Sequence, residues 1–211
     1  ISLNGSTGQV YAGEIPTRAA ELSGDFKALM DLCDKYTHLQ VRTNADTPHD
    51  AQVARDFGAK GIGLTRTEHM FFEDKKIVAM REMILAKDTE GREKALAKLL
   101  PYQKADFKGI LEAMDGFPVN IRLLDPPLHE FVPHDLAGQQ TMADEMGVSV
   151  EEIQQRVASL AENNPMLGHR GCRLGITFPE ITAMQTRAIL SAACELKKEG
   201  KNPMPEIMVP L

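Results

Sequence analysis

Tryptophan is absent from the 211 residues, which by itself excludes nothing. No apolar run is long enough to span a bilayer and no signal peptide is present, so neither a membrane-spanning nor a secreted protein is expected, and the expected location is the cytoplasm. Cysteine is scarce. Cys33, Cys172 and Cys194 are odd in number and lack metal-type spacing, which fits reduced thiols and excludes a disulfide framework. A basic surplus is also missing. The net charge of −6 and pI near 5.6 argue against a nucleic-acid surface, while leaving small anions as candidate ligands at local clusters. Neither GxGxxG nor GxxxxGK[ST] follows any strand candidate, so the common glycine-rich nucleotide loops are excluded. Internal repeats and low-complexity segments are lacking too.

What remains is an ordinary globular composition, 43% hydrophobic and 26% charged with a mean hydropathy of −0.25, enough for one substantial core. Residues 1–13, ISLNGSTGQVYAG, read as a hairpin around Asn4-Gly5. Helical spacing of Phe26, Leu29, Met30 and Cys33 predicts a helix over 15–38. From there strands and helices alternate. Strands are expected at 39–45, 61–64, 119–124 and 207–209, with a further strand or its equivalent inside 163–176. Helices are expected at 48–58, with Asp46 or Thr47 capping it, at 73–86, at 89–114 with a break near Pro101, at 150–162 behind the Ser149 capping box, and at 179–200. A proline-punctuated loop is expected over 128–137.

Alternating strands and helices imply a parallel sheet with right-handed crossovers. Without a dinucleotide loop, a barrel is favoured over a doubly wound sheet. A complete barrel needs eight strands in about 250 residues, and five candidates are found, so the fold class is α/β: a partial (β/α)8 TIM-type barrel preceded by a short β-hairpin from a neighbouring domain. Ile1 starts inside a strand and Leu211 follows an apolar strand-like run, so neither end is expected to be a natural terminus.

The chemistry centres on arginine. Arg66 ends the GIGL strand in a burst of polar residues, Thr65 to His69, at the carboxyl end where α/β proteins place ligand groups. Arg122 lies between Ile121 and Leu123, where an unpaired guanidinium would be costly. Two such arginines can clamp a carboxylate or phosphate bidentately, and Arg170 with Arg173 in GHRGCR extends the set. The competing possibility is that each arginine simply pairs with a nearby acid such as Glu68 or Asp125. His69, His129, His134 and His169 lack the spacing of a zinc site, and Cys172 has no base beside it other than His169.

Three strings, GIGLTRTEHMFF, RLLDPPLHEFVP and NPMLGHRGCRLGITFPEI, resemble segments of the pyruvate, phosphate dikinase family of phosphoenolpyruvate (PEP)-utilising enzymes, and ISLNGSTGQVY resembles the tail of that family's swivelling phosphohistidine domain. The resemblance runs along essentially the whole chain. It implies a large enzyme that converts ATP, phosphate and pyruvate to AMP, diphosphate and PEP through a phosphohistidine outside this segment. It further implies the end of the phosphohistidine domain at 1–15, a linker helix at 16–38, and the first part of a PEP/pyruvate-binding barrel at 39–211. Arg66, Arg122 and Arg170 match the substrate-binding arginines. The catalytic histidine, the proton-donating cysteine and the Mg2+ ligands are expected outside 1–211, so no catalytic or metal-binding residue is expected within it, and the isolated segment is expected to be inactive. ATP, AMP and phosphate would bind another domain, and a homodimer is expected. Alternatives are a PEP synthase, an enzyme I-type phosphotransferase, or an inert barrel piece that self-associates through its open sheet edge.

Overall fold

The computed structural model describes residues 1–17, 23–72, 74–161 and 164–211. The chain divides into two compact units, Ile1–Leu39 and Gln40–Leu211. In the first, β1 (Ser2–Asn4) pairs antiparallel with β2 (Gln9–Tyr11), and the Asn4 side chain caps the turn by accepting the amide of Ser6 at 3.1 Å. Helix α1 (Gly24–Tyr36) is shorter than the predicted 15–38, of which residues 18–22 lie outside the described residues. None of its residues is buried, so the apolar stripe of Phe26, Leu29 and Met30 is not part of any core seen here.

The second unit is mixed α/β. Strands β3 (Thr43–Asn44), β4 (Ile62–Arg66), β5 (Pro118–Arg122) and β6 (Met204–Met208) form one parallel sheet in that order. Helices α2 (Pro48–Asp56), α3 (Asp74–Leu85), α4 (Thr89–Ala113) and α9 (Pro179–Lys198) run between the strands. Ile62, Val119, Ile121 and Leu123 pack against Phe107, Ile110 and Leu111 of α4 and Ala188, Ile189 and Ala192 of α9. Side chains alternate across a strand, so Asn120 and Arg122 face away from these helices. On that other face Arg42, beside β3, reaches Glu206 of β6 at 2.5 and 3.2 Å, although two strands lie between them. The sheet must therefore curve enough to bring its outer strands within a side chain's reach. Room is made by Gly61, where a Cβ would sit 2.9 Å from the Pro118 carbonyl oxygen and 3.2 Å from Arg42 Cγ.

Three expectations are corrected. The region 163–176 holds no strand among its described residues. It forms a single 3-10 turn, Pro165–Leu167, then α8 (Gly171–Thr177). Gly171 is the cause: at φ +59° the chain leaves extended geometry, and the Cys172 amide turns to donate to Pro210 O at 2.7 Å. Four parallel strands are thus described, not five, and Arg170 sits at a helix N-terminus.

The second correction is that α4 passes through Pro101 unbroken. Its Ala95, Leu96 and Leu99 are buried in one cluster and its Phe107, Ile110 and Leu111 in another, so packing on both sides outweighs the lost backbone hydrogen bond. The third concerns the loop expected at 128–137. It contains α5 (Leu128–Phe131) and leads into α6 (Leu136–Met146), which with α7 (Val150–Ser159) closes a small core around Leu85, Met142 and Ile153.

Candidate functional site

Arg66 ends β4 and Arg122 ends β5, and the two are register partners across the parallel ladder. They therefore project side by side on the concave face at the carboxyl end of the sheet. Two guanidinium groups started from strands about 4.8 Å apart repel each other unless anions stand between them.

The chain supplies three anions from the same end of the sheet. Asp46, two residues past β3, accepts the backbone amide of Arg66 through Oδ1 at 2.8 Å and faces Arg66 Nε through Oδ2 at 3.2 Å. Glu68, in the single 3-10 turn Thr67–Phe71 that follows β4, accepts from Arg122 Nη2. Asp125 accepts from Arg170 Nε at 2.6 Å and Nη2 at 3.0 Å, and its Oδ2 lies 3.6 Å from Arg122 Nη1. That hydrogen bond holds the Arg170 guanidinium above its ordinary range despite partial burial. Three arginines and three carboxylates thus alternate along one rim. The ion-pairing possibility is realised at every arginine, yet the engagement is unequal. Arg170 commits one fork to Asp125, and Arg122 leaves Nη1 beyond hydrogen-bond distance. The terminal nitrogens of Arg66 have no partner among the described residues.

Beneath the rim, Gln185 of α9 is 1% exposed. Its Oε1 accepts from Leu124 N at 2.7 Å, and its Nε2 donates to Thr67 Oγ1 and to Gln103 Oε1, both at 3.2 Å. Leu124 lies between Arg122 and Asp125 and Thr67 between Arg66 and Glu68, so one buried amide ties the two arginine-bearing strand ends together. Gly171 fixes the third corner, since a Cβ there would lie 3.0 Å from Pro210 O and 3.3 Å from Asp125 Oδ1.

Of the remaining candidates, His69 touches the rim. His69 Nδ1 is 2.8 Å from Asp46 Oδ2, His129 Nε2 is 3.9 Å from Glu130, and His169 Nε2 contacts Thr177 Oγ1 at 3.0 Å. Arg173 donates to the Leu167 carbonyl at 2.6 Å, away from the rim. Cys33 and Cys194 are exposed and Cys172 is half-buried, all as free thiols. Among the described residues no group of three or more His, Cys, Asp or Glu is arranged to hold a metal ion. No described helix is long and apolar enough to cross a membrane.

Sequence reasoning missed Asp46 and Gln185. The sequence offered Asp46 or Thr47 as the cap of α2, and Thr47 takes that role by accepting the Asp50 amide at 3.1 Å. The position of Asp46 just past a strand, the same signal that singled out Arg66, could have found it. Gln185 lies mid-helix in an apolar stripe, and only its burial reveals it.

Residues 20–211 match the family described as PEP-utilising enzyme, PEP-binding domain. The chain is 57% identical over 211 residues to a pyruvate, phosphate dikinase of Giardia intestinalis, and 54% and 56% identical over 212 residues to those of Clostridium symbiosum and Rhizobium meliloti (strain 1021). Each alignment takes in 100% of this chain but 24% of the relative, so the chain spans about a quarter of the curated proteins it matches. With its paired strand-end arginines and this match over nearly its whole length, the chain belongs to the PEP-utilising enzymes and carries sequence of their PEP-binding domain.

Proposed function

We propose that this chain is the part of a pyruvate, phosphate dikinase that grips PEP and pyruvate, and that Arg66, Arg122 and Arg170 are the gripping residues. The observation that carries the reading is the register pairing of Arg66 and Arg122, with the terminal nitrogens of Arg66 free of partners among the described residues. The Arg66 fork is shaped to take two oxygens of a carboxylate or phosphoryl group. Arg122 adds Nη1 beside it, and Arg170, fixed by Asp125, adds charge at the third corner. Because the rim is charge-balanced before ligand arrives, an anion is held by donors already oriented rather than by a naked positive field. The same donors neutralise charge as a phosphoryl group moves between an oxygen and an imidazole nitrogen.

Within this reading the second unit is the first part of a (β/α)8 barrel. The Arg42–Glu206 contact across the concave face supports that curvature. Residues 1–15 are the end of a phosphohistidine domain and 16–38 its linker. The whole enzyme converts ATP, phosphate and pyruvate to AMP, diphosphate and PEP, with its phosphohistidine, its proton-donating cysteine, its Mg2+ ligands and its ATP site outside this chain, and it acts as a homodimer. Magnesium, when bound, supplies charge neutralisation at the substrate oxygens. The 211-residue chain alone forms no PEP, and detectable formation by the purified chain would contradict this division of labour.

The two half-reactions separate the claims. In the intact enzyme, Arg66→Ala and Arg122→Ala raise the PEP concentration needed for exchange between pyruvate and PEP at least about tenfold, while exchange between ATP and AMP is unchanged. Variants with the parent's PEP dependence would remove the clamp.

A further inference from the structure

We propose that Asp46 is a positioning residue that sets the Arg66 guanidinium for its ligand, an inference that rests on the reading of Arg66 as a substrate-binding group. Asp46 sits just after β3, next to a helix start where a carboxylate would ordinarily serve as a cap. That duty falls to Thr47, whose Oγ1 accepts the Asp50 amide. All the contacts of the Asp46 carboxylate go instead to the segment 66–69. Oδ1 takes the Arg66 amide at 2.8 Å, and Oδ2 faces Arg66 Nε at 3.2 Å and His69 Nδ1 at 2.8 Å.

This arrangement grips Arg66 at both ends of its stem. The amide hydrogen bond fixes where the side chain leaves the strand, and the carboxylate charge 3.2 Å from Nε, outside hydrogen-bond geometry, draws the guanidinium toward Asp46. Nη1 and Nη2 are then presented as a pair, which is the geometry a bidentate oxyanion requires. An ionised carboxylate only accepts, so His69 Nδ1 carries a proton in this contact. The histidine therefore holds the Asp46 carboxylate against rotation. Arg122 and Arg170 have other carboxylates for the same purpose, Glu68 and Asp125, but among the described residues Arg66 has only Asp46. Asp46 is 15% exposed at its side chain, so its charge is sheltered enough for these contacts to hold in water.

Asp46 acts through Arg66 and touches no ligand itself, so a thermodynamic cycle isolates it. The intact enzyme is prepared as the parent, Asp46→Asn, Arg66→Ala and the double variant, and KM for PEP and kcat are measured for each, with thermal unfolding as a control. Asp46→Asn is expected to raise KM for PEP about tenfold, the effect of removing the one charge that faces Arg66 Nε and its amide, with a smaller change in kcat. In the Arg66→Ala background the same substitution should change KM less than about twofold. An unchanged KM in Asp46→Asn beside a raised KM in Arg66→Ala overturns the positioning role and leaves the clamp standing. A full effect of Asp46→Asn in the Arg66→Ala background also overturns it, since Asp46 would then act independently. An unchanged KM in Arg66→Ala overturns the clamp and this inference together. Should Asp46→Asn unfold, Asp46→Glu keeps the negative charge but moves it one methylene away from its place beside the Arg66 amide and Nε. The same cycle then applies, with the same outcomes deciding.

Discussion

Replacing Gln185 with methionine is expected to loosen the fold and the site together. The side chain keeps its length but loses both polar atoms. The Leu124 amide then has no acceptor in a buried location, costing about 1–3 kcal/mol, and the contacts to Thr67 and Gln103 cost about 1 kcal/mol each. Burying the thioether in place of the amide returns about 1 kcal/mol. The net loss is about 3 kcal/mol, which for a unit of this size lowers the unfolding midpoint by roughly 6–12 °C. Circular dichroism melts of the 211-residue chain and its Gln185→Met variant measure this directly. A midpoint within about 2 °C of the parent would refute the claim that this amide ties the ends of β4 and β5 together.

Arg122→Met strands the buried Glu68 carboxylate and should cost about 3–5 kcal/mol in urea unfolding; adding Glu68→Gln should recover part of the loss, and a double variant no more stable than Arg122→Met would contradict the pairing. Gly171→Ala forces a side chain onto a backbone at φ +59° and should cost about 1–2 kcal/mol in thermal unfolding, whereas an unchanged midpoint would mean the turn relaxes freely. The hydrogen bond from Arg42 holds the Glu206 carboxyl below its ordinary range. A lowered folded-state value means the pair's contribution is complete above the ordinary carboxylate range and is lost as the pH falls through the lowered value. Glu206→Gln should therefore flatten the acid limb of the stability–pH curve, and an acid limb as steep as the parent's would exclude this role.

The alternation of strand and helix was legible because the period of apolar residues changes along the chain, and Arg66 was legible because a polar burst follows a wholly apolar strand. Capping at Thr47, Pro48 and Ser149 was equally local and so equally readable. What escaped depends on contacts distant in sequence. Pro101 reads as a helix break until its two flanking clusters are seen to hold the helix straight through it. NPMLGHRGCRLGI reads as extended until Gly171 is seen to turn against Pro210. Asp46 looks like a cap because a cap needs only its neighbours, whereas its partners Arg66 and His69 lie twenty or more residues on. Whether an arginine is consumed or available could not be read from spacing at all, because the answer lies in which nitrogens the carboxylates occupy.

Arg66 offers its terminal nitrogens to an oxyanion, and equilibrium titration of the intact enzyme with PEP, parent against Arg66→Ala, measures that contact. At least about a tenfold loss of PEP affinity is expected, the value of a charged bidentate contact, with nucleotide affinity unchanged. Equal PEP affinity in the two proteins would contradict it.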